Sequence, residues 1–100
     1  MIQFEEEIDR LMSKPGVLGI IILSRMGSVI HTTYSDDETE KKAKTVRRLI
    51  AVAEEVSKLE DDTNDTQFIR IKTKTYELLV CPSEEYVLVT YQSQEAKNKN

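Results

Sequence analysis

The sequence predicts an α/β fold of the α+β sandwich kind: one five-stranded antiparallel sheet between helices, in the order α-β-β-α-β-β-β. Three observations carry the prediction. The run "VLGIIIL", Val17 to Leu23, holds six aliphatic residues in seven and stops at Ser24. It is too short for a membrane span of roughly 20 apolar residues, and it does not alternate as a strand with one wet face would. Residues 36–59 then carry a long helical pattern with neither Gly nor Pro inside it, and three strand-like segments follow with short connections. A strand dry on both faces needs a layer above it and a layer below it, which two helical segments can supply.

Each element has its own local reason. Phe4, Ile8, Leu11 and Met12 fall on one stripe of a first helix, Glu5 to Glu7 suit its positive N-terminal end, and Pro15-Gly16 stops it. The dry run reads as a strand over Val17 to Ser24. "RMG" turns the chain, and Ser28 to Tyr34 reads as its hairpin mate. Ser35 and Glu38 have the spacing of a capping box, which starts the long helix at Asp36 and lets it run to about Leu59. "EDDTND" breaks it. Strands are expected over Thr66 to Thr73, Tyr76 to Cys81 and Tyr86 to Gln92, joined tightly enough to be antiparallel neighbours. Residues 1–92 read as a single domain, and the polar 93–100 as a disordered tail.

Composition narrows the function. A chain of 100 residues with 39% hydrophobic content can bury a core, and most of that core must be Ile, Leu and Val because there are only six aromatics. A net charge of −4 speaks against nucleic acid and anionic membranes as partners. The single Cys81 can form no internal disulfide, and the acidic N-terminus lacks the character of a targeting segment, so a soluble intracellular protein is expected.

The long helix carries more apolar surface than one sheet requires. At about 100° per residue, Ala43, Val46, Ile50 and Ala53 fill one sector and Leu49, Val52, Val56 and Leu59 the adjoining one. Together they span roughly 200°, against the stripe of little more than 100° that a helix resting on a sheet needs. Glu40, Lys44, Arg47, Glu54, Glu55 and Lys58 form the wet arc. The first apolar sector is assigned to the sheet and the second to another protein.

Catalytic constellations are missing from the sequence. His31 is the only histidine and reads as a solvated strand residue; Cys81 reads as a small buried residue at a strand end. One Cys and one His cannot assemble a zinc site, and no phosphate-binding glycine loop is present. "DDTND" lacks the length and the terminal glutamate of a calcium loop. Lys41, Lys42, Lys44, Arg47 and Arg48 form a basic run, but acids flank it and no aromatics interleave with it. A solvated helix face, or one meeting an acidic protein partner, is expected there. No enzyme activity and no cofactor follow from these residues.

The segment "NDTQFIRIKTKTYELLVCPSEEYVLVTYQ", Asn64 to Gln92, resembles the roadblock family of dynein light chains. The resemblance rests on Asn64, Asp65, Phe68, Arg70, Ile71, Lys74, Glu77, Val80, Pro82, Tyr86, Leu88 and Gln92, and on the earlier "GVLGIIILSRMGSVI". It implies a roadblock/profilin-like fold with sheet order 2-1-5-4-3 and a non-catalytic protein. It also implies a dimer, with itself or another roadblock-type light chain, in which the third strand pairs with its mate and the long helices pack beside that seam. The interface residues expected on this basis are Leu49, Val52, Val56, Leu59, Phe68, Ile69, Arg70 and Ile71. The implied partner is a dynein intermediate chain. The implied location is the cytoplasm, on the cytoskeleton, or the ciliary axoneme. A scaffold or regulator of a small GTPase is the alternative role for the same module. In an antiparallel helix pair, the basic start of the long helix would face the other copy's Glu54 and Glu55.

Overall fold

A computed structural model of the chain describes residues 4–94. Within them the elements are α1 Phe4–Met12, β1 Val17–Ser24, β2 Val29–Thr32, α2 Asp36–Lys58, β3 Ile69–Lys72, β4 Tyr76–Pro82 and β5 Tyr86–Ser93. The strands form one sheet in the order β2-β1-β5-β4-β3, with every neighbouring pair antiparallel. The predicted fold class and the sheet order implied by the resemblance are both those of the molecule.

Alternation along β1 explains its composition. Ile21 and Leu23 point to the α2 side, where they pack with Ala43, Val46, Val80, Val87 and Val89. Ile20 and Ile22 point to the other side and pack with Ile8 and Leu11 of α1. Gly19 to Leu23 are all buried, so β1 has no wet face and an alternating sequence would place polar groups in a core. At the far end of β1 the chain reverses through Gly27, whose φ of +95° lies where L side chains are strained.

The long helix starts as its sequence predicts. Ser35 is the N-cap and its Oγ accepts the backbone N–H of Glu38 at 3.3 Å. Leu59 is the C-cap.

Several expectations need adjustment. β2 is shorter than Ser28 to Tyr34, and β3 is shorter than Thr66 to Thr73. The second difference has a clear cause. The Thr66 N–H donates to Glu54 Oε1 at 2.9 Å and the Thr66 hydroxyl meets Ser57 Oγ at 2.6 Å, so this segment is held by α2 and not by β4. Cys81, expected to be buried, is exposed. Strand alternation turns it to the α1 side, and α1 packs on β1, two strands away. His31 on β2 and Cys81 on β4 stand three strands apart in the sheet. At the usual strand spacing that is about 14 Å, beyond direct proton transfer. Ser93 belongs to β5 and Gln94 is buried, so the ordered chain passes the expected limit at 92. Residues 95–100 and the side chain of Phe4, expected in a tail and in the α1 stripe, lie outside the described residues.

Candidate interaction surface

The two apolar sectors of α2 have different fates. Ala43 and Val46 are buried against the sheet, with Ile50 packed beside them. Val52, Val56 and Leu59 are 56%, 67% and 83% exposed, which rules out a single wide face resting on the sheet. Phe68, 57% exposed, leads into β3 on the side to which the C-terminal half of α2 is tied. Ile71 on β3 is also partly exposed. A polar-rimmed group of large apolar side chains on one side of a small protein marks an association surface.

The expected interface residues divide accordingly. Val52, Val56, Leu59, Phe68 and Ile71 are exposed on the α2 side of the sheet edge. Leu49 and Ile69 are half-buried and pack on the chain's own core. Arg70 points to the opposite face of the sheet, where its Nε donates to the carboxylate of the fully buried Glu77. That pair crosses from β3 to β4 and braces the edge strand. It gives Arg70 a structural task inside the subunit.

Among the described residues β3 is an edge strand with one unpaired side. The Thr73 N–H donates to the Tyr76 carbonyl at 2.8 Å, which makes 73–76 a hydrogen-bonded pair. In an antiparallel ladder such pairs alternate, so the backbone groups of Ile71 and Ile69 turn toward β4 and those of Lys72 and Arg70 turn outward. An edge strand with free groups is a template for another strand.

Beside this edge, between the first half of α2 and the β3–β4 turn, lies a groove of about 750 Å³. Leu49, Ile71 and Leu78 contribute its apolar wall, Tyr34, Tyr76 and Tyr91 its floor, and Lys41 and Lys42 its rim; no acid among the described residues lines it. The tyrosines form a cluster, with Tyr34 and Tyr91 edge to face at 5.6 Å and Tyr76 6.2 Å from Tyr91. Lys42 Nζ sits 4.5 Å from the Tyr34 ring centre and 5.5 Å from that of Tyr91, within cation–π range. Burial, then the neighbouring Tyr34 and Tyr76, pushes the Tyr91 hydroxyl up to about 12. Sequence reasoning missed this cluster because the rings come from three separate segments. The basic run has aromatics against it after all, supplied by the fold.

The loop after α2 is pinned by charge. Lys58 Nζ donates to the Asn64 carbonyl at 2.6 Å and to Asp65 Oδ1 at 2.8 Å, and it stands 3.5 Å from Glu54. The Thr66 N–H, and to a lesser extent Lys58, hold the Glu54 carboxyl below its ordinary range. A depressed carboxyl contributes stability above its unfolded value, and that contribution is lost as pH falls through the folded value. The Thr66 amide is therefore expected to keep its hydrogen-exchange protection at pH 7 and to lose it in acid, once the pH has fallen past the ordinary carboxylate range and Glu54 is protonated. In Glu54→Ala the protection should be missing at both. Equal protection factors in the variant and wild type at pH 7 would show that the clamp is held elsewhere.

Two residues of the expected wet arc are thus engaged inside the chain, Glu54 and Lys58. A third, Arg47, donates its Nε to the Gly27 carbonyl at 2.6 Å and ties α2 to the β1–β2 turn.

The family model described as Roadblock/LC7 domain matches residues 3–92 of the chain. Among solved structures, the chain is similar to the crystal structure of a Roadblock/LC7 domain from Streptomyces avermitilis. The TM-score is 0.78 at 16% identity, over 88% of this chain and 76% of that one. At that identity the likeness is one of fold.

Proposed function

The chain belongs to the Roadblock/LC7 domain family, and from that premise we propose that it is a non-catalytic dynein accessory light chain. It works as a dimer that binds a dynein intermediate chain, on the cytoskeleton of the cytoplasm or in the ciliary axoneme. One observation supports this reading above the others: the exposed Val52, Val56, Leu59 and Phe68 adjoin a sheet edge that no strand pairs among the described residues. Pairing β3 with β3 of a second roadblock-type chain satisfies that edge, and the same movement covers the apolar residues above it. Fully burying one Val or Leu contributes roughly 1.5–3 kcal/mol, so a handful of them decides an association.

A dimer also explains how so small a protein can hold a partner. Stable interfaces bury about 1,600 Å² in total, which is hard to find on one subunit already covered by helices on both faces of its sheet. A two-fold surface offers roughly double the area of one subunit.

The test uses Lys72→Pro. Its N–H faces the open edge and its side chain is exposed, so proline is tolerated there while the outward bond is removed. Calorimetric titration with a dynein intermediate-chain segment should show binding to the wild-type dimer and at least tenfold weaker binding to the monomeric variant. Equally tight binding by the monomer would place the site within one subunit. Failure of the wild type to bind, together with capture of a small GTPase, would move the module to that pathway.

A further inference from the structure

We propose that a charge pattern along the rim of α2 selects a second copy of this same chain as the occupant of the seam. The proposal rests on the reading that α2 and β3 form that seam. Of the five bases between 41 and 48, two are engaged within the fold: Lys42 lies on the tyrosines and Arg47 on the Gly27 carbonyl. Lys41, Lys44 and Arg48 are exposed and make no ion pair among the described residues, and of these Lys44 lies farthest round the helix from Val52, on the wet arc. On the acidic side, Glu54 is held by Thr66 and Lys58, whereas Glu55 and Asp62 are exposed and equally unpaired.

Four of these residues are spaced by seven: Lys41, Arg48, Glu55, Asp62. Seven residues are nearly two helical turns, so the three within α2 form one stripe, within roughly 60° of Val52 on the flank away from the sheet. Asp62 follows in the loop beyond Leu59. The order of charge is plus, plus, minus, minus, with its midpoint beside Val52.

Symmetry turns that order into a recognition rule. Two β3 strands related by a two-fold axis pair antiparallel, with the axis normal to the sheet. Both α2 helices then lie on one face and run in opposite directions. Around the midpoint near Val52, Arg48 meets the second copy's acid at 55 and Lys41 its acid at 62. Parallel helices would set like charges together. Apolar shape obeys the same rotation. The groove lies beside the first half of α2, and the exposed Val56, Leu59 and Phe68 lie at its second half, so each copy's protruding side chains come to the other's groove. A partner lacking this antisymmetric stripe gains the apolar contacts without the charge match, which is how specificity is set at a rim.

The experiment is a charge exchange read by native mass spectrometry and sedimentation. Arg48→Glu alone should weaken self-association about tenfold, because two like-charge contacts replace two attractive ones. Glu55→Arg alone should do the same. Mixed in equal amounts, the two variants should recover wild-type affinity within a few-fold, and the mixed dimer should dominate. Both sites are exposed and unpaired in the subunit, so circular dichroism should show the fold unchanged. Glu40→Lys, on the wet arc, should leave association alone. Single variants as tight as wild type, or a mixture that fails to recover, would overturn the charge pattern. If Lys72→Pro still dissociates the dimer in that case, the seam stands and only the pattern falls. A wild type that stays monomeric at 100 μM, on the order of a weak interface, would overturn the second copy as occupant.

Discussion

Val52→Asp is expected to raise the dimer dissociation constant more than a hundredfold while leaving the single subunit folded. Val52 is 56% exposed on a helix, and Val and Asp have similar helix propensities, so the subunit loses little. In the proposed dimer the charge stripe centres the two-fold axis beside this position. The new carboxylate is then desolvated with no partner and faces its own symmetry mate. Each effect disfavours association, and about 3 kcal/mol between them corresponds to the factor expected. Sedimentation across a concentration series gives the constant directly. Arg47→Ala is the comparison. Its guanidinium is tied to Gly27 on the other flank of α2, so it should cost some stability and leave the dissociation constant in place. Equal constants for the two variants would show that the second apolar sector is not the seam.

The second large effect concerns stability. A Cβ added at Gly19 would stand 2.3–2.5 Å from Cζ, Cε2 and Oη of Tyr34, well inside contact distance. The Tyr34 ring is not free to swing, since Tyr91 meets it edge to face and Lys42 lies over it. Gly19→Ala should therefore displace the ring and disturb the tyrosine cluster, at a cost of about 1–2 kcal/mol. For a domain of this size that lowers Tm by roughly 5–10 °C. Calorimetry on Gly19→Ala, Tyr34→Ala and the double variant isolates the cause. The glycine substitution should cost almost nothing once the ring is gone. An equal cost in both backgrounds would mean that Gly19 matters for its backbone and not for the space it leaves.

The motif residues of the resemblance acquire physical roles in the folded chain. Asn64 and Asp65 receive Lys58 and fix the approach to β3. Arg70 and Glu77 join the edge strand to its neighbour through a buried carboxylate. Such residues hold the edge strand in place beneath α2, and an edge strand held in a fixed position is what a paired seam requires.

What the sequence by itself determined were the features set by short-range periodicity and local chemistry. The dry run from Val17 to Leu23 required a layer on each side. The Gly- and Pro-free stretch after Ser35 required a long capped helix, with an apolar arc wider than one sheet can cover. Only the tertiary structure decided which charges remain available and which side chains meet. Glu54, Lys58, Lys42 and Arg47 all read as solvated positions on a wheel, yet each finds a partner outside its own helix. Cys81 reads as a core residue, yet it lies beyond the reach of α1. The tyrosine cluster brings together residues 34, 76 and 91. Periodicity reports the direction in which a side chain leaves its own element. It carries no record of what another element places there, because that depends on register, helix length and loop path, which are fixed only when the whole chain packs.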